Sequence, residues 1–261
     1  MPLFDIFLAC APKDYNKLPY VVESIAQNVS GFDSVFICAP TEIPHDIVGN
    51  IPISHYSVLD KDGLPGVNRD GWIYRPNWCF QQHLKLFQVL TREWYLTIDC
   101  DTIINRQMTF FEKDGRPIWW MGPDQMHAQY FKFQEKMIGV PRLAKRSFIA
   151  DMNLFNRKII NEMLVRNDHN RVSFIEKSQE ITSEECYLGE PELYGNYCTK
   201  HFSGMYSEKS LSVVPFAGKF QNNVNDVVWS EEEIEDLIEE ASRKPIDTFS
   251  FHSWLLEGSA T

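Results

Sequence analysis

The spacing of apolar and polar residues changes period several times along the chain. "LFDIFLACA" and "SVFICAP" are apolar runs of strand length, and "YVVESIAQNV" between them repeats its apolar residues at helical spacing. "ISHYSVL" predicts a third strand and "WYLTI" a fourth. Before the fourth, "CFQQHLKLFQVL" predicts a helix with Leu84, Phe87 and Leu90 in its buried stripe, an amphipathic surface helix. Strand and helix alternating in this order predict an α/β fold with a mainly parallel central sheet flanked by helices. In such sheets ligands bind beyond the carboxyl ends of the strands.

The second half is less regular. "PIWWMGP", "SFIADMNLF", "SLSVVPF" and "IDTFSFHSWLL" read as strands, and "NRKIINEMLVRN" and "PELYGNYCTKHF" as helices. "SEEEIEDLIEEASRK" predicts a surface helix capped by Ser230, with Glu233 completing a capping box; its charge run reads as a solvated face. No repeat, low-complexity tract or Gly/Ser linker marks a boundary. The expectation is one domain over residues 1–261, with a nucleotide-binding half over about 1–105 and an acceptor and catalytic half over about 106–261.

Composition narrows the partners. The chain is 44% hydrophobic, enough for a sizeable core, and its net charge of -11 argues against nucleic acid or anionic lipid, which need a basic surface. The six cysteines include no CxxC pair and read as reduced core thiols. No basic leader and no apolar run of membrane-spanning length stand out, so a soluble, cytoplasmic protein is expected.

The first chemistry to stand out is "WYLTIDCDTIIN". Side chains two apart in a strand share a face, so Asp99 and Asp101 are predicted to point the same way and Cys100 the other. Paired carboxylates repel, and a divalent cation removes that cost; at a strand end a metal and its phosphate ligand are expected. The competing reading is one Asp capping a turn and the other solvated. Asp60 and Asp62 in "SVLDKDG" form a second D-x-D, which Gly63, Pro65 and Gly66 explain better as a turn. The seven histidines form no close H-x-H or H-x-x-x-H pair, which disfavours a His-built zinc site.

"YLTIDCDTII" resembles the DXD segment of nucleotide-sugar-dependent glycosyltransferases of the GT-A (Rossmann-like) fold. The Gly-Trp and Gln-Gln-x-x-Lys of "GWIYRPNWCFQQHLKLF", with "SFIADMNLF" and the Glu-x-Glu-Leu-Tyr-Gly of "EPELYGNYC", are similar to a bacterial and viral group that includes chlorovirus capsid glycosyltransferases. The resemblance implies a sugar moved from a nucleoside-diphosphate donor to a glycan or other hydroxyl acceptor, with Mn²⁺ or Mg²⁺ as Lewis acid at the leaving diphosphate. It implies Asp101 as the metal contact and Asp99 as ribose contact or metal contact through water. It implies His252 as a further metal or diphosphate contact; a hydrogen-bonded core histidine between Phe251 and Trp254 is the alternative.

The resemblance also turns the Gln-Gln-x-x-Lys helix toward the donor, with Lys85 on phosphate and Gln81 or Gln82 on sugar or ribose. Arg69 and Arg75 in the preceding loop offer similar service. Asp151 takes the donor sugar. Ala9, Ala11 and Asp14 at the first strand end are candidates for base and ribose, although Asp14 is read in preference as a helix N-terminal charge. Among Trp72, Tyr74, Trp78, Trp119 and Trp120, Trp72 is taken as the ligand contact and the rest as core. An inverting reaction needs a general base, and Glu190, read as the N-cap ahead of Pro191, ranks above Glu192, with Asp151 as alternative; simple capping is the rival account of both glutamates. Other classes held open are a nucleotidyltransferase or metal-dependent phosphohydrolase, and a non-catalytic sugar-binding protein of the same fold.

Overall fold

The computed structural model describes residues 2–49, 56–59, 64, 67–88, 90–122, 127–217 and 229–252. In chain order the elements are β1 (Phe4–Ala9), a 3-10 segment (Pro12–Lys17), α1 (Leu18–Asn28), β2 (Phe32–Cys38), α2 (His45–Gly49), β3 (Tyr56–Leu59), a 3-10 turn (Arg69–Gly71), α3 (Pro76–Leu86), β4 (Trp94–Asp99) and β5 (Thr102–Ile104). There follow β6 (Ile118–Met121), α4 (Ala128–Ile138), β7 (Met152–Asn156), α5 (Arg157–Arg166), α6 (Arg171–Ile181), α7 (Glu190–His201), β8 (Ser207–Ser210), β9 (Val213–Ala217), α8 (Glu231–Ser242) and β10 (Thr248–His252).

The central sheet runs β3-β2-β1-β4-β7. Its first four strands are parallel, and β7 is antiparallel to β4. Chain order reverses at β1, which lies between β2 and β4; the crevice beyond that switch is where a parallel sheet receives a ligand. Register along β1 and β4 runs from Phe4 opposite Trp94 to Ala9 opposite Asp99, so Ala9 and Asp99 end side by side at the switch.

Alternation along the strands builds two cores. Phe7, Ala9, Tyr95 and Phe155 face a layer made by Phe80 and Leu84 of α3, Phe133 of α4, Phe174 of α6 and Tyr194 of α7. Ile6, Leu8, Leu96 and Ile98 face Val21, Val22 and Ile25 of α1, Ile234 of α8, and Phe249 and Phe251 of β10. Two small sheets, β5-β10-β9 and β6-β8, flank the main one.

Several expectations are corrected. "SFIADMNLF" becomes strand only from Met152, because side chains take the backbone donors before it: Phe148 N–H goes to Glu192 Oε1 at 3.1 Å and Ile149 N–H to Ser147 Oγ at 3.0 Å. "SLSVVPF" divides between β8 and β9. Helix α3 is no half-exposed amphipath, since Gln82, His83 and Lys85 are buried along with its apolar residues. Helices α4 and α6, the short α2, the 3-10 segments and β5 were not expected. The Ser230–Glu233 capping box stands as read. Asp60 and Asp62 lie outside the described residues. All six cysteines are free and buried, and no helix among the described residues is long and apolar enough to cross a membrane.

Candidate active site

Strand β4 ends at Asp99, and Cys100 and Asp101 form a turn into β5. The pair therefore does not share a strand face as the alternation argument required: the strand ends two residues before Asp101. Each aspartate keeps different company. The Asp99 carboxylate accepts a hydrogen bond from Lys85 Nζ, while its backbone N–H donates to Asp151 O at 2.9 Å. Asp101 is held through its backbone, its carbonyl accepting from Phe251 N–H at 2.8 Å, and its charge acts on Asp14.

Lys85 arrives from α3, which packs between β1 and α7. The residue is 6% exposed, and its ammonium also lies 3.6 Å from Glu190 Oε1. Glu190 is 2% exposed, and its second oxygen, Oε2, has no hydrogen-bond partner among the described residues. Burial raises the Glu190 carboxyl to about 7; Lys85 opposes that rise and the Asp99 charge adds to it. For Lys85 burial works against the charged form, but Asp99 and Glu190 outweigh it and keep the ammonium protonated above its ordinary range. Glu190 occupies the first turn of α7 with Gly189 as the N-cap, so the expected capping position is corrected by one residue. A carboxylate there lies at the positive end of the helix dipole. Glu192, one residue past Pro191, points elsewhere: Ser147 Oγ (2.7 Å), Phe148 N (3.1 Å) and Asn196 Nδ2 (3.0 Å) all donate to it. It clamps the segment leading to Asp151.

On the other side of the turn Lys17 Nζ bonds Asp14 Oδ1 at 2.7 Å and Phe251 O at 3.2 Å. Burial raises the Asp14 carboxyl; Lys17 opposes and Asp101 adds to the rise. Asp151 Oδ2 accepts from Ser250 Oγ, which also meets Thr102 Oγ1 at 3.0 Å. His252 closes β10 opposite Ala217, directly after Phe251; its side chain lies outside the described part. Ala11 O accepts from Asp14 N at 2.9 Å. Gln81 is half-buried and Gln82 buried. Trp72, expected as a ligand contact, is buried in the core, its Nε1–H on Ser178 Oγ at 3.3 Å and its ring 4.8 Å from His83. Tyr74 of that loop and Trp78 in the first turn of α3 are half-buried rings.

No three His, Cys, Asp or Glu side chains form a ready metal cluster among the described residues. The donor chemistry nonetheless suits a hard cation in part. Asp14 and Asp101 raise each other's negative potential, with Lys17 bound to the former, and Asp99 carries Lys85 as its ammonium partner.

Tyr130 of α4 was missed by sequence reasoning. Its ring fills the space that a Cβ on Gly189 would need, 2.6 Å from that position, beside the start of α7. The signal was Tyr130, Phe133 and Met137 at helical spacing.

No protein-family profile and no curated protein matches the chain in sequence. Solved structures similar in chain path include three glycosyltransferases. The galactosyltransferase LgtC, solved with donor and acceptor sugar analogs, is 12% identical over 95% of this chain and 87% of its own, with a TM-score of 0.45. The apo bifunctional glycosyltransferase WbbM is 12% identical over 96% of this chain and 46% of its own, with a TM-score of 0.48. The glycosyltransferase GlyE of Streptococcus pneumoniae TIGR4 is 13% identical over 80% of this chain and 45% of its own, with a TM-score of 0.39. Likeness at this level assigns no residue a role.

Proposed function

We propose that the chain is a divalent-cation-dependent glycosyltransferase that moves a sugar from a nucleoside-diphosphate donor to a hydroxyl acceptor with inversion. The observation that carries the reading is Glu190, a buried carboxylate with an unpartnered oxygen, held beside a Lys85–Asp99 ion pair at the sheet's switch point. Glu190 takes the proton of the attacking hydroxyl at Oε2, and a carboxyl raised to about 7 is tuned for that transfer near neutral pH. Lys85 orients Asp99 and lends positive charge toward the donor diphosphate. Ala9, Ala11 and Asp14 border the nucleotide, Gln81 and Asp151 the donor sugar. Asp101, with His252 beyond Phe251 and Asp99 at one remove, would hold Mn²⁺ or Mg²⁺, which supplies Lewis acidity to the leaving diphosphate.

The test is a panel of nucleotide sugars with Mn²⁺ or Mg²⁺, reading diphosphate release and direct donor binding on the native chain, Asp101→Ala and Glu190→Gln. Expected is donor binding and turnover in the native chain, loss of cation-dependent binding in Asp101→Ala, and retained binding without turnover in Glu190→Gln. Absence of donor binding, or an Asp101→Ala variant equal to the parent, would sink the reading. Donor binding with no turnover by the native chain would favour a sugar-binding protein.

A further inference from the structure

Arg75 stands just before α3 with φ 46° and ψ 54°, left-handed backbone that a residue with a side chain rarely adopts, and Pro76 after it disfavours helical conformations further. Such an outlier persists only where its surroundings hold it, and such outliers concentrate at binding sites. Here Cys79 supplies both anchors: its N–H donates to Arg75 O at 2.9 Å and its thiol to Tyr74 O at 3.4 Å.

The strained turn lays the Arg75 guanidinium over Trp78, 4.5 Å from the ring centre, and 5.7 Å from the ring of Tyr187. Tyr187 meets Tyr74 at 5.5 Å and Tyr130 edge-on at 5.3 Å. Tyr130 in turn abuts Gly189, the residue before Glu190. Among the described residues, no carboxylate or other acceptor occupies the guanidinium. A planar cation seated on aromatic faces keeps its in-plane N–H groups free, the geometry that receives a carboxylate through two parallel bonds. Half-buried Tyr74 and Trp78 beside it offer ring faces to the apolar side of a sugar.

We infer that Arg75, with Tyr74, Trp78, Tyr130 and Tyr187, forms a subsite for an anionic sugar unit bearing a carboxylate. Its assignment to the acceptor rests on the transferase reading above, and on the chain of contacts through Tyr187 and Tyr130 to Gly189, the residue before Glu190. A monoanion suits the place better than a phosphate dianion, because one guanidinium stands against Glu190, Asp99 and a chain of net charge -11.

The test compares methyl β-glucuronide with methyl β-glucoside, a pair differing in the carboxylate, by NMR titration of the full chain. The native chain is expected to bind the glucuronide about tenfold more tightly, and Arg75→Gln to bring the two within about twofold. Arg75→Gly is the folding control: glycine accepts the left-handed backbone, so its melting temperature should equal or exceed the parent's while the preference is lost. Equal binding of the two sugars by the native chain, whether strong or unmeasurably weak, overturns the subsite, as does a preference that survives both variants. Nucleotide-sugar binding on the same samples separates the claims. Donor binding without a glucuronide preference sinks the subsite alone; a preference without donor binding sinks the transferase reading and leaves an acidic-sugar site.

Discussion

Glu190 binds its proton more tightly in the folded chain than in the unfolded one, because burial raises its carboxyl from 4.5 to about 7. Its protonated form therefore favours the native state; that contribution is full below about pH 4.5 and is lost as pH rises through about 7. Glu190→Gln, which stays neutral, is expected to be more stable than the parent at about pH 8 by about 1–3 kcal/mol and equal to it at about pH 4, read by denaturant titration. The same variant should lower transfer about 10²–10⁴-fold, and the parent's kcat/KM should rise with pH through a limb near 7. Lys85→Met should behave oppositely. It leaves Asp99 and Glu190 facing each other without a cation, with a stability loss of about 3–5 kcal/mol that shrinks toward acid pH as Glu190 takes a proton. At this scale the residue types were legible and their burial was not. Lys85 reads in the sequence as the polar side of a surface helix, and only the packing of α3 against α7 turns it inward.

At the scale of elements, strand and helix order in the first half followed from hydrophobic period, since a parallel sheet buried on both faces writes continuous apolar runs. Turns did not follow. The end of β4 fell two residues short of the shared face expected for Asp99 and Asp101, and the start of α7 fell one residue from the expected cap, because both are decided by distant partners: Asp151 O on Asp99 N, and the docking of Tyr130 against Gly189. Helix α6 lacks a clean apolar stripe and went unread for that reason. Gly195 of α7 tests how tightly these elements fit. An added Cβ would stand 2.3 Å from the Phe148 ring, so Gly195→Ala is expected to destabilise by about 1–3 kcal/mol and to weaken donor binding by shifting the segment that ends at Asp151. Unchanged melting and unchanged binding would show that the ring moves freely.

Across the whole molecule the net charge of -11 makes a diphosphate an awkward guest without help. Among the described residues, Lys85 on one side of the strand end and Lys17 on the other are each committed to a carboxylate. A bound cation lowers the local potential further, so Mn²⁺ should raise the melting temperature of the parent and leave Asp101→Ala unmoved, with chelation reversing the rise. This readout is independent of turnover.

The backbone bonds at the strand end have one more consequence. Asp99 N–H is held by Asp151, Asp101 O by Phe251, and Ala9 lies in register with Asp99, so four stretches far apart in the chain meet at a single point. No early, local stage of folding can possess that point; it exists only when all the long loops have closed. The amides of Asp99 and Phe251 are therefore expected to exchange with solvent hydrogen at one common rate, set by global opening, and a bound donor should slow both by the same factor.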